Sequence, residues 1–288
     1  MIYAICNPTA GSGRGEKIGQ QIKQALDKKG VISHLVLTKR PGHAEELARG
    51  AREEGVETVL SIGGDGTSQE VARGLLGGKT SLGVIPAGTG NDFVKTIGLP
   101  AQPLDALDYI LSHPARPTDA GEVNGKLFLN VIGTGFDVSV LQYAQKAKKF
   151  CRGLLPYLYG VLQTLFRFHS IPITYTTDDG REETREAFIA ALGNGGVFGG
   201  GIRIAPEARA DDGLLDLVIV DQIQRRLLIP RLVGLLQGRI LTFPETHYCR
   251  VSSVRISAPG TQLEVDGEII PEHTAAARVL PDALLIHR

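Results

Sequence analysis

The sequence predicts two domains, an N-terminal α/β domain built on a parallel sheet and a C-terminal antiparallel β-sandwich. Three observations carry that expectation. At 288 residues the chain exceeds the size at which one hydrophobic core usually stops growing. Its first part alternates short apolar runs with amphipathic stretches, an alternation that builds a parallel sheet covered by helices. Beyond a proline-bounded break at Pro114–Pro117 the pattern changes to many short strands with turn signals and few helices, which suits a sandwich. The domains are expected at residues 1–120 and 121–288.

The first strand is Ile2 to Cys6. It runs into Asn7-Pro8-Thr9-Ala10-Gly11-Ser12-Gly13-Arg14-Gly15. Ile18, Ile22, Ala25 and Leu26 then keep helical spacing as far as Gly30. The turn is not a Walker A loop, because GxxxxGK[ST] is absent, and it is not the dinucleotide GxGxxG. Val31 to Thr38 is the second strand. A dinucleotide site would place an acid near its end to hold a ribose; Thr38, Lys39 and Arg40 stand there instead. Gly42 to Glu54 reads as a helix with Ala44, Leu47, Ala48 and Ala51 on its buried face. Val56 to Ile62 is a buried strand followed by Gly63-Gly64-Asp65-Gly66-Thr67. Thr67 and Glu70 match the S/T-x-x-E capping box, and Val71, Ala72, Leu75 and Leu76 give the next helix an apolar stripe. Leu82 to Ile85 is a further strand, ending in Pro86-Ala87-Gly88-Thr89-Gly90-Asn91-Asp92-Phe93.

Three strands therefore each end in a glycine-rich turn and a helix N-terminus. Ligands of open α/β sheets sit at the carboxyl ends of the strands. Helix N-termini offer N–H groups and a positive dipole end to an anion, and glycine lets a ligand reach the main chain. Any one such turn reads equally well as a tight βα connection. Gly63, Gly64 and Gly66 around the carboxylate of Asp65, with similar turns on two other strands, point to a nucleotide phosphate chain in one crevice.

Composition narrows the classes. Lys plus Arg and Asp plus Glu both number 31, so no global field argues for nucleic acid. Cys6, Cys151 and Cys249 are widely spaced and odd in number, which suits a reducing cytoplasm rather than a disulfide framework or zinc site. The N-terminus lacks the basic and long apolar regions of a signal peptide, and no apolar run is long enough to span a membrane.

In the second half, strands are expected at Thr118 to Val123, Lys126 to Ile132, Ile171 to Thr177, Glu186 to Leu192, Leu214 to Val220, Arg250 to Ser257, Thr261 to Val265, Ala277 to Leu280 and Ala283 to Ile286. Two spans break this pattern. Between Asp137 and Asp178 there is no acid, while Lys146, Lys148, Lys149, Arg152 and Arg167 accompany a helical stripe of Leu154, Leu158, Val161, Leu165 and Phe168. Gln222 to Pro244 is also free of acids and holds Arg225, Arg226, Arg231 and Arg239. Each reads as a helix packed on the sandwich or as a basic amphipathic segment at an anionic membrane. Arg209-Ala210-Asp211-Asp212-Gly213-Leu214 reads as a β-turn with solvated aspartates or as a hard-cation loop. Val265-Asp266-Gly267-Glu268 reads as a hairpin turn or as a source of a catalytic carboxylate. If its strand stays regular, Glu264, Asp266 and Glu268 share the face opposite Leu263 and Val265.

Asn7-Pro8-x-Ala10-Gly11, Gly63-Gly64-Asp65-Gly66-Thr67 and Gly88-Thr89-Gly90-Asn91-Asp92-Phe93, in this order and spacing, resemble the diacylglycerol kinase catalytic domain, and more closely the soluble bacterial lipid kinases of that family. The resemblance implies a Rossmann-like α/β domain of the kind shared by NAD kinases and diacylglycerol kinases, followed by a lipid-binding sandwich. It implies transfer of the γ-phosphate of ATP to a lipid hydroxyl, most simply diacylglycerol giving phosphatidic acid. ATP would be held by Asn7, Pro8, Thr9, Ala10, Gly11, Thr38, Gly63, Gly64, Asp65, Gly66, Thr67, Glu70, Thr89, Gly90 and Asn91. Asp65 would orient Mg2+, and Asp266 or Glu268, facing the GGDGT turn across a cleft, would be the base. A structural Mg2+ would sit on Asp212 and the carbonyls of Arg209 and Leu214. The resemblance further implies a cytoplasmic enzyme in peripheral contact with an anionic membrane. Monomer and homodimer both suit the sequence. The rivals are a kinase of a soluble metabolite such as NAD on the same scaffold, and a non-catalytic lipid- or nucleotide-binding regulator.

Overall fold

Parallel strands and the helices that cross between them build the N-terminal part of the protein. The computed structural model describes residues 1–147 and 155–288. The chain divides into two units: Met1–Ala120, Ala210–Gly213 and Leu280–Arg288 form unit 1, and Gly121–Arg209 with Leu214–Val279 form unit 2. Lys148, Lys149, Cys151, Arg152 and Leu154 lie outside the described residues.

Unit 1 runs β1 (Ile2–Cys6), α1 (Ala10–Gly13), α2 (Gly15–Lys28), β2 (Ser33–Leu37), α3 (His43–Glu53), β3 (Thr58–Gly63), α4 (Asp65–Leu75), β4 (Ser81–Pro86), α5 (Asp92–Thr96) and α6 (Pro103–Ser112), and enters β5 (Ala115–Val123). The sheet order is β4-β3-β1-β2, every pair parallel. The last residues of the chain extend it, Leu285 opposite Ser81 and Ile286 opposite Leu82. The three strands that end in glycine turns are thus neighbours, and their turns lie along one edge of the sheet. One sheet face packs Ala4, Cys6, Leu60, Ile62 and Ile85 on Ile22 and Leu26 of α2 and Leu107 and Ile110 of α6. Each fully buried aliphatic of this kind contributes about 1.5–3 kcal/mol of transfer free energy. α3 and α4 pack closely against each other, since a Cβ on Gly74 would lie 2.5 Å from the Glu45 carbonyl oxygen.

Unit 2 continues with β6 (Lys126–Phe128), β7 (Val131–Gly135), α7 (Phe136–Ala147), α8 (Leu155–Arg167), β8 (Ile171–Thr177), β9 (Glu182–Gly193), β10 (Val197–Phe198), β11 (Ile202–Arg203), β12 (Leu215–Asp221), α9 (Leu228–Leu236), β13 (Thr246–Val251), β14 (Ser253–Ser257), β15 (Leu263–Val265), β16 (Glu268–Ile270) and β17 (Thr274–His287). Its pairings are antiparallel: β16-β15-β7-β9-β8-β14-β17, with β12 on β9 and β13 on β12. Period-two alternation sends side chains of the same strands to two cores. Ile132, Ala190, Leu192, Leu217 and Ile219 join one; Val131, Ile189, Ala191, Val218 and Val220 join another with Ile240 and Phe243.

The α/β-plus-sandwich class expected from the sequence is what the chain adopts; several element details differ. Lys126 to Ile132 is two strands, and Arg250 to Ser257 divides at Ser252. The two C-terminal strands are the single β17: Asp282 takes a left-handed φ of 51° and donates its N–H to Asp119, which kinks the strand without ending it. The expected stripe of α8 does not share one environment, for Leu165 is buried and Leu158 is exposed.

Asp137 opens α7 as a buried acid whose carboxylate oxygens have no hydrogen-bond partner among the described residues. Glu264 pairs across from Gly133, and the Asp137 carboxyl occupies the space a Gly133 side chain would fill. Burial pushes the Asp137 pKa from 3.8 up to about 7. The folded state therefore holds the proton more tightly than the unfolded chain does. The ionisation penalty is absent in acid, grows above the unfolded pKa and is complete above about pH 7. Asp137→Asn is expected to melt several degrees above the native protein at pH 8, with the difference closing as pH falls towards 4. Melting curves across that range check it, and equal pH slopes would contradict it.

Candidate active site

The site in unit 1 begins with backbone crowding where strands become helices. β3 ends at Gly63 and α4 begins two residues later. Gly64, at its N-cap, makes no side-chain capping bond. Gly64 thus offers no side chain to the first amides of α4, and the helix dipole adds positive potential there. A Cβ on Gly88 would stand 2.5 Å from the Gly64 Cα, so the two glycine turns touch main chain to main chain. The first turn joins them from β1. Gly11 has a left-handed φ of 58°, and a Cβ there would meet the Ala87 carbonyl oxygen at 2.3 Å.

Side chains lock the three turns together. Asn7 donates through Nδ2 to Thr67 Oγ1 at 3.2 Å and accepts the Thr9 N–H at 3.1 Å. Asn91, itself left-handed, accepts the Gly88 N–H through Oδ1 at 3.0 Å. The Phe93 N–H donates to Asp65 Oδ1 at 2.9 Å. Thr38 N–H reaches the Cys6 carbonyl at the end of β1. Thr89 and Gly66 are exposed at the rim, and Pro8 and Ala10 line the first turn half-buried.

Thr67 is not the helix N-cap. It lies inside α4, beneath Gly63, and Glu70 does not fold back as a capping box. Glu70 reaches α3 instead, accepting the N–H groups of Gly42 at 2.9 Å and Ala44 at 3.2 Å. The helix starts earlier than the motif suggests because Gly64-Asp65 already satisfies the turn.

Asp92 is a site residue that the sequence reading passed over. It is 8% exposed and its Oδ1 lies 3.0 Å from Lys95 Nζ. A Cβ on Gly90 would lie 3.1 Å from Asp65 Oδ2 and 3.6 Å from Asp92 Oδ2, so the two carboxylates border the same glycine. Burial raises the Asp65 pKa, the Phe93 N–H opposes it, and the charge of Asp92 raises it further. Two neighbouring acids beside uncapped amides form a donor set suited to a divalent cation with phosphate oxygens. The signal was present in the third turn, where Gly90-Asn91-Asp92 places an acid two residues after a glycine, as Gly63-Gly64-Asp65 does in the second.

In unit 2, β15 and β16 are joined by Asp266-Gly267, with φ values of 47° and 91°, in a two-residue hairpin turn. The regular strand expected through Glu268 is thereby broken. Val265 pairs with Glu268, and antiparallel partners share a face, so Glu268 does not lie with Glu264. Asp266 accepts three main-chain N–H groups, from Leu129 at 2.7 Å, Asn130 at 2.9 Å and Val131 at 3.0 Å. Glu268 is exposed.

Asp119 organises the loop at Ala210–Gly213 within unit 1. It is 2% exposed, donates its N–H to the Ala210 carbonyl and accepts the Gly213 N–H at 2.8 Å. Asp212 belongs to this loop, whereas Arg209 and Leu214 belong to unit 2. Among the described residues no group of three or more His, Cys, Asp or Glu side chains is placed to hold a metal ion.

A parallel sheet whose strands end in glycine turns, with an antiparallel sandwich in the second unit, is an architecture of the α/β-plus-sandwich class. The sequence pattern of the diacylglycerol kinase catalytic domain matches residues 1–123, and that of the YegS C-terminal NAD kinase beta sandwich-like domain matches residues 130–288. A Pseudomonas aeruginosa protein named "Probable lipid kinase YegS-like" is 35% identical over 87% of this chain and 83% of its own. A Bacillus subtilis "Diacylglycerol kinase" is 31% identical over 92% and 88%. The crystal structure of a diacylglycerol kinase from Bacillus anthracis superposes with a TM-score of 0.81 at 26% identity, over 99% of this chain and 96% of that one. The chain belongs to the diacylglycerol kinase and YegS-like lipid kinase family.

The two acids of the hairpin differ in what their removal costs. Asp266→Ala leaves three amides without their acceptor and is expected to lower stability by about 2–3 kcal/mol. Glu268→Gln, on an exposed side chain, is expected to stay within about 0.5 kcal/mol of the native protein. Denaturant titration of both checks this; equal losses would contradict it.

Proposed function

We propose that the protein transfers the γ-phosphate of ATP to the free hydroxyl of diacylglycerol, giving phosphatidic acid. The observation that carries the reading is the pair Asp65 and Asp92 beside the uncapped start of α4, where glycine turns meet main chain to main chain. A Cβ on Gly66 would meet no described atom within 4 Å, so the backbone at the start of α4 is open to a phosphate chain, and the residues fit the nucleotide that the family uses. The amides of the Gly63–Thr67 turn hold phosphate oxygens, with Asn7, Thr67 and Asn91 fixing the three turns around them. Asp65 and Asp92 would hold Mg2+, which would neutralise charge on the phosphates. Phosphoryl transfer depends mostly on such positioning and charge neutralisation.

Glu268 is the base. The acceptor oxygen bonds to the γ-phosphorus as its bond to the leaving ADP oxygen breaks, and Glu268 takes the hydroxyl proton. Asp266, already committed to three amides, positions the hairpin. A second cation at the 209–214 loop, with Asp212 as its carboxylate and the carbonyls of Arg209 and Leu214 beside it, has a structural role in this reading. Cation binding requires ionised Asp65, whose pKa is raised. Protons therefore compete with the cation for Asp65, and the Mg2+ concentration needed for activity is expected to rise as pH falls.

Label transfer from ATP to diacylglycerol in mixed micelles with Mg2+ tests the assignment. Glu268→Gln is expected to lose about 10²–10⁴-fold in kcat while melting like the native protein, and Asp65→Asn to be inactive and folded. Near-native turnover in Glu268→Gln would refute the base, and no lipid product from the native protein would refute the reaction.

A further inference from the structure

Two buried carboxyls of unit 2 meet over one glycine, next to the hairpin that carries Glu268. Asp137 stands in the first turn of α7 and is 5% exposed; Glu264 stands in β15 and is 2% exposed. β15 pairs with β7, Glu264 opposite Gly133. A Cβ on Gly133 would overlap Asp137 Oδ2, and its position lies 3.4 Å from Glu264 Oε2. The missing side chain is therefore the space in which the two carboxyls approach each other, and any other residue at 133 would drive Asp137 away. Both partner elements are also tied to the residue before β15. Gln142 of α7 donates through Nε2 to Gln262 Oε1 at 3.0 Å, and Thr134 of β7 donates through Oγ1 to the Gln262 carbonyl at 2.8 Å.

Two carboxylates so placed do not both carry charge, because each ionisation disfavours the other and burial disfavours both. One proton between them resolves the conflict. A protonated Asp137 has an O–H to donate, and Glu264 Oε2 is an acceptor over the same glycine. The raised pKa of Asp137 agrees with that direction. An O–H to carboxylate bond of this kind is stronger than one between neutral groups. The other oxygen of Glu264 has its own partner: Oε1 accepts the N–H of Gly267 in the hairpin turn. Gly267 stands between Asp266 and Glu268 in the chain. Asp266 also holds the turn, through the amides of Leu129, Asn130 and Val131. The backbone that presents Glu268 is thus gripped by two acids, and one of them is set against Asp137.

We propose that Asp137 is a positioning residue: it shares one proton with Glu264, and the pair holds the Gly267 N–H so that the hairpin keeps Glu268 in place for the reaction. The shared proton stays in the pair, and the proton of the acceptor hydroxyl goes to Glu268. The consequence for turnover rests on the lipid-kinase reading, whereas the shared proton does not.

Infrared difference spectra, amide exchange and kinetics of the full chain test it. The variants are Asp137→Asn, Asp137→Leu and Glu264→Gln, checked for folding by circular dichroism; Asp137→Ala replaces Asp137→Leu if the latter does not fold. Near pH 6 exposed carboxyls are ionised. There the native protein is expected to show the band of a protonated carboxyl that Asp137→Asn and Glu264→Gln both lose, because each supplies an amide N–H in place of the proton. Exchange at the Gly267 amide is expected to be about tenfold or more faster in Asp137→Leu and native-like in Asp137→Asn. With ATP and diacylglycerol, Asp137→Leu is expected to lose about tenfold or more in kcat at unchanged KM, and Asp137→Asn to stay within about twofold of the native protein. A band missing from the native-minus-Asp137→Asn or the native-minus-Glu264→Gln difference would overturn the shared proton. Native exchange at Gly267 with native kcat in the variant lacking a donor would overturn the positioning role. Band and exchange as expected, with no phosphorylation of any diacylglycerol by any form, would uphold the pair and refute the kinase reading alone.

Discussion

Main-chain contact between Gly64 and Gly88 is the constraint on which the geometry of the proposed nucleotide site depends. The two turns come from neighbouring parallel strands, β3 and β4, whose register sets Gly63 opposite Pro86. With a Gly88 Cβ position only 2.5 Å from the Gly64 Cα, any side chain there would force the turns apart. Their closeness lets Asp65 receive the Phe93 N–H from the far turn and brings it beside Asp92. The parallel sheet supplies the geometry, the glycines allow the approach, and a half-buried Asp65 beside a buried Asp92 is the chemical consequence.

In unit 2 the division of roles follows from hydrogen bonding. A carboxylate that holds three amides is poorly placed to collect a proton without releasing its partners. Asp266 is such a group, and its left-handed backbone makes the turn that presents Glu268. The same hairpin brings Glu264 into the buried face opposite Gly133, next to Asp137.

Much of this was legible in the sequence. Strand-turn-helix alternation marked the parallel sheet, and Gly63 to Thr67 marked the tight turn between β3 and α4 because glycine spacing is a backbone signal. Three things were not legible. Glu70 suits a capping box by spacing, yet its carboxylate satisfies α3, a tertiary partner 26 and 28 residues away. Asp266 and Glu268 looked equivalent, since a sequence does not show which acid the Leu129–Val131 amides will claim. The face of α8 that meets α7 depends on Gly160, and periodicity alone placed Leu158 and Leu165 together although one is outside and the other inside.

The measurement that bears most directly on the account is ATP binding by calorimetry to the native protein and to Gly88→Ala, each with Mg2+ and each shown to be folded by circular dichroism. The added methyl group should separate the Gly64 and Gly88 turns and weaken binding by about tenfold or more, with the sandwich unaffected. Native affinity in Gly88→Ala would contradict the claim that the close approach of these turns makes the nucleotide site.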